Sequence, residues 1–82
     1  MPYSPPTKDV VIAALRAVGV RVSEGQNDEI IIESATRLET LVFPPEGLKK
    51  HMLFRLKYHY DVPIHWFFHP NQIPGWKPPR VH

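Results

Sequence analysis

The chain has 82 residues, ten of them proline and none cysteine, with 43% apolar residues and a formal net charge of +2. That is room for one domain with a thin core, since a chain this short buries only roughly 60–65% of the surface it exposes when unfolded. Disulfides and cysteine-rich zinc sites are excluded, a membrane-spanning helix would need ~20 apolar residues where the longest run is Val10 to Leu15, and the opening residues carry no basic-then-apolar leader, so a soluble, cytoplasmic protein is expected.

Residues 1–6, with three prolines, read as a flexible N-terminus ahead of a domain over 7–68. Thr7 is a good N-cap, Asp9 suits the first turn, and Val10, Val11, Ala14, Leu15 and Val18 form one helical stripe. Gly19 ends that first helix, over about 8–18, with a left-handed cap. Val20 to Glu24 alternates apolar and polar, which predicts a strand with one wet face. Gly25-Gln26-Asn27-Asp28 is turn chemistry. Glu29 to Glu33 holds three stiff isoleucines and predicts a second strand. Ser34-Ala35-Thr36 reads as a turn, and Arg37 to Phe43 as a third strand ended by Pro44-Pro45.

A second helix is expected from about Pro45 or Glu46 to Tyr60, with Leu48, Leu53, Met52, Leu56 and Tyr60 as its core face. Its other face interleaves cations with aromatics: Lys49, Lys50, Arg55 and Lys57 with Phe54 and Tyr58, and His51 beside them. Asp61-Val62-Pro63 ends it, because a residue before proline avoids the α region. Ile64 to Phe68 is aromatic and predicts either a fourth, edge strand or an extended arm. Residues 69–82, with four prolines, read as a tail without regular structure. The expected fold is therefore α+β: α-β-β-β-α with a three-stranded antiparallel meander and helices on one face.

This order resembles that of double-stranded-RNA-binding domains and of the HicA-type mRNA-interferase toxins that share their fold. Leu15-Arg16-Ala17-Val18-Gly19-Val20 is similar to the end of the toxins' first helix. Val42-Phe43-Pro44 before a lysine-bearing helix is similar to their third strand and second helix. The likeness spans roughly residues 8–60. Lys49-Lys50 resembles the lysine pair with which the RNA-binding domains meet phosphates. The toxins place a catalytic histidine in a Gly-Ser-His turn; the matching turn here is Gly25-Gln26-Asn27, so the resemblance implies no RNA cleavage. Nor does the chain carry the Gly-Pro-x-His loop that enters an RNA minor groove.

Charge is unevenly spread. Residues 1–23 sum to +2, residues 24–46 to −5, and residues 47–82 to +5. Such a split fits an anionic partner, self-association, or two surfaces that attract each other within the fold. Lysines and arginines on a helix displace phosphate counterions, and exposed aromatics stack on unpaired bases. The bland alternative is a solvated basic face with its aromatics covered by the tail.

His65 and His69 have metal-ligand spacing only on a helix, against which Pro63 and Pro70 argue, so no metal site is expected. Glu29, Glu33 and Glu39 can face each other across the meander, but alternation on a wet sheet face explains them without chemistry. No cofactor or catalytic residue is assigned. Two readings stand: a non-catalytic domain for RNA or DNA, acting through Lys49, Lys50, Arg55, Lys57, Phe54 and Tyr58, and a protein-interaction module or homodimer. The second acts through Trp66, Phe68 and the Pro-flanked Trp76, which can equally dock back on its own domain.

Overall fold

In the computed structural model, residues 3–78 are described. Helix α1 spans Lys8–Ala17, strands β1, β2 and β3 span Arg21–Glu24, Glu29–Glu33 and Leu38–Val42, and helix α2 spans Lys50–Tyr60. Two short 3₁₀ turns follow, Ile64–Phe67 and Pro70–Gln72. The sheet is antiparallel in the order β1-β2-β3, which gives the expected α+β architecture. Among the described residues no helix is long and apolar enough to cross a membrane.

Local chemistry sets each element. The Thr7 side chain accepts from the Val10 N–H at 3.4 Å, Asp9 and Arg16 sit at the helix ends that suit their charges, and Gly19 turns away at φ 89°. Asn27 and Asp28 both take positive φ, as a tight primed hairpin turn requires, and the Glu29 N–H closes it on the Gln26 carbonyl at 3.3 Å. On the sheet's inner face Val22, Ile30, Ile32 and Leu41 are buried against Val10, Val11, Ala14 and Leu15 of α1 and Leu53, Leu56 and Tyr60 of α2. Among the described residues no strand residue of the outer face is buried.

Three expectations need correcting. Helix α2 starts at Lys50, not at Pro45 or Glu46. Gly47 stands at φ 90°, which a right-handed helix cannot include, and its N–H closes a turn on the Pro44 carbonyl at 2.9 Å. A side chain there would also run into Pro5, whose ring lies 2.6 Å from where a Cβ would be. Leu48 is buried all the same, ahead of the helix.

Second, residues 64–68 form neither an edge strand nor an extended arm. The Trp66 N–H bonds the Pro63 carbonyl at 3.1 Å, and the His69 N–H bonds the His65 carbonyl at 2.8 Å. Pro63 and Pro70 flank this helical turn instead of interrupting it; His65 lies inside the turn, while His69, at φ −134° and ψ 72°, lies beyond it, so the two histidines do not share one helix. Third, the region after residue 68 carries regular structure in Pro70–Gln72.

Both ends of the described chain lie on the body. Phe67 and Ile73 belong to the core, at 3% exposure each, and close its open end. Pro6 is buried, and the Tyr3 hydroxyl donates to the Leu48 carbonyl at 2.6 Å. Burying the Phe67 side chain contributes about 1.5–3 kcal/mol.

Candidate nucleic-acid interface

Helix α2 has one buried stripe, Leu53, Leu56 and Tyr60, so the residues opposite it must meet solvent. Lys50, His51, Phe54 and Tyr58 do, with Phe54 at 37% and Tyr58 at 75% exposure. Among the described residues, the tail does not cover this aromatic pair. Lys49 is the N-cap, exposed, and supplies no side-chain cap of its own. Lys57 is half-buried on one flank, and its Nζ lies 5.2 Å from the centre of the Tyr58 ring.

Arg55 belongs to the other flank and is engaged. Its guanidinium forms an ion pair with Glu39 Oε2, and the Tyr60 hydroxyl donates to Glu39 Oε1. His59 Nδ1 stands 4.0 Å from the same carboxylate. Burial alone would raise the Glu39 pKa, but the hydrogen bonds from Tyr60 and Arg55, with the Arg55 and His59 charges, hold it below its ordinary value. Tyr60 is pushed up, first by burial and then by its bond to Glu39. The structure thus brings together Lys49, Lys50, Phe54, Lys57 and Tyr58, and ties Arg55 into a clasp between α2 and β3.

That clasp also corrects the expected acidic face. Ile32 pairs with Glu39 and Glu33 with Leu38, so Glu39 shares the inner face with Ile30, Ile32 and Leu41, while Glu29 and Glu33 lie on the outer one. The three carboxylates do not face each other. The turn before β3 runs through Arg37, whose carbonyl accepts the Ser34 N–H at 2.8 Å. One extra turn residue flips every side chain of the following strand. Sequence reasoning missed the clasp although it had a signal: Tyr60 on a core face needs a partner for its hydroxyl.

The residues of the interaction reading lie elsewhere. Trp66 and Trp76 are half-buried against the core, and Phe68, at 41% exposure, meets Tyr3 edge-on at 6.2 Å between ring centres. Trp76 also lines an open cleft of about 600 Å³ with Asp9, Arg16, Glu24 and Lys77. His65 and His69 are both exposed, and among the described residues no three His, Cys, Asp or Glu side chains converge as a metal site. Arg80 and His82 lie outside the described residues. No family model, no curated protein and no solved structure matches this chain.

Proposed function

We propose that the protein is a non-catalytic nucleic-acid-binding domain whose ligand is single-stranded or looped RNA, held by the outer face of α2. The observation that carries this reading is the exposed pair Phe54 and Tyr58, set four residues apart on a helix that also carries Lys50 and Lys57, with Lys49 at its N-cap. Large aromatics left in water usually mark a binding surface. Flanked by cations, this pair suits bases stacked on the rings and phosphates on the lysines. The element order, similar to that of RNA-binding domains, supports the same reading, and a cysteine-free chain suits the reducing cytoplasm. Duplex binding is disfavoured because the sequence has no Gly-Pro-x-His loop of the kind that enters a minor groove, and aromatic stacking needs unpaired bases.

The test is fluorescence anisotropy with short single- and double-stranded RNA and DNA over a salt series. Three phosphate-contacting lysines give a log–log salt slope of about −2 on a single strand. Lys49→Glu/Lys50→Glu should abolish binding at physiological salt. No binding even at ~50 mM salt, where phosphate contacts are strong, overturns the proposal.

A further inference from the structure

The free edge of β3 is a surface of a different kind, and its hydrogen-bonding groups can be assigned one by one. The Phe43 N–H bonds the Asp28 carbonyl at 2.9 Å, and the Arg37 carbonyl accepts the Ser34 N–H at 2.8 Å, so residues 37 and 43 point their backbone groups at β2. Strand geometry alternates, so Glu39 and Leu41 do the same, while Leu38, Thr40 and Val42 point theirs away from the sheet. Among the described residues none of these three donates to or accepts from any loop or helix. Their side chains lie on the uncovered outer face, where Leu38 is 72% and Val42 59% exposed beside half-buried Ile31. The opposite edge is protected: the Arg16 guanidinium donates to the outward Val22 carbonyl at 2.8 Å, and Lys8 pairs with Glu24 at 3.0 Å.

We infer that β3 is a self-pairing edge, whose partner is a second copy of this chain in antiparallel register about a two-fold axis through Thr40. That register places Thr40 opposite its own copy and Leu38 opposite the other copy's Val42. All three outward residues of each strand become hydrogen-bonded pairs, and no outward group in β3 is left over. A shift by two residues leaves outward groups unmatched and sets Leu38 against Thr40. The outer face gains a continuous seam of Leu–Val, Thr–Thr and Val–Leu pairs, the cross-strand contacts that stabilise sheets.

Charge is compatible with this pairing. The one charged side chain of β3, Glu39, points to the inner face and is already held by Arg55 and Tyr60. The nearest carboxylates on the outer face, Glu33 of one copy and Glu29 of the other, would stand three strand spacings apart, about 14 Å, beyond the ~8 Å screening length at physiological salt. A five-residue edge is small against the roughly 1,200 Å² of a standard stable interface. The dimer is therefore weak and reversible. The inference does not depend on the RNA reading.

Sedimentation velocity of the full chain from about 1 µM to about 300 µM, a span that brackets weak interfaces, tests the pairing. Wild type should move from monomer to dimer across that range. Leu38→Lys/Val42→Lys, which sets like charges opposite each other, should stay monomeric with an unchanged circular dichroism spectrum. Leu38→Lys/Val42→Glu, which sets opposite charges there, should recover the dimer. The chain has no cysteine, so Thr40→Cys adds a single reporter. Paired Cα atoms at ~5.5 Å fall within disulfide range, so oxidation should cross-link it about tenfold faster than Ser23→Cys, on the same face of the protected β1. A monomer at every concentration, a dimer untouched by the double lysine variant, or equal cross-linking at 40 and 23 would each overturn the inference.

Discussion

The two sides of α2 use the same residue types to opposite ends. Toward the sheet, a cation and a tyrosine, Arg55 and Tyr60, converge on Glu39 and fasten the helix to β3. Away from it, Lys50, Lys57 and Tyr58, with Phe54, meet no carboxylate among the described residues and stand in or near water. Basic composition therefore says little by itself. What distinguishes a cation available to a partner from one spent on the fold is the acidic group within reach, which depends on register and helix phase.

The sharpest form of this contrast lies in two adjacent residues. Leu53→Ala should cost about 2–5 kcal/mol, enough to unfold much of a domain this small, whereas Phe54→Ala, at 37% exposure, should cost clearly less, about 1 kcal/mol, in urea titrations. Comparable losses at both positions would mean that Phe54 is part of the core. The tyrosines give a smaller step. Tyr60→Phe removes a hydrogen bond to a charged group and should cost about 1.5–3 kcal/mol, while Tyr58→Phe, at 75% exposure, should be neutral.

Smaller still is the acid limb. Because the folded-state pKa of Glu39 lies below its unfolded value of 4.5, its contribution is present above that pH and is lost as pH falls through the depressed value. Thermal denaturation from pH 7 downward should show wild type losing part of its advantage over Glu39→Gln below pH 4.5. A constant difference between the two proteins at all pH values would remove the clasp from the account.

Much of this architecture was legible from residue patterns. The α1 stripe, the Thr7 cap and the three strands follow from periodicities that leave little choice. What was not legible depended on single residues. Gly47 ends one conformation and lets the next begin, and its tight approach to Pro5 is a tertiary fact that no window of sequence displays. Ile64 to Phe68 is apolar without a period, so strand and helical turn look alike until Phe67 is seen filling the core. Arg37 reads in sequence as the start of a strand, but it completes a turn, and that one-residue shift places Glu39 in the clasp and not on the wet face. The exposure of Lys50, Phe54 and Tyr58 follows from helical phase, whereas the engagement of Arg55 depends on where Glu39 points.

The division of α2 into a proposed binding face and a structural flank is tested most directly by one pair of variants in one assay. Affinity for a short single-stranded RNA should be measured by anisotropy for Tyr58→Ala and Arg55→Gln beside wild type. Loss of one stacking contact, about 1–3 kcal/mol, should weaken Tyr58→Ala roughly 5- to 150-fold, while Arg55→Gln stays within about twofold. The reverse pattern, with Arg55 carrying the affinity and Tyr58 dispensable, would contradict it.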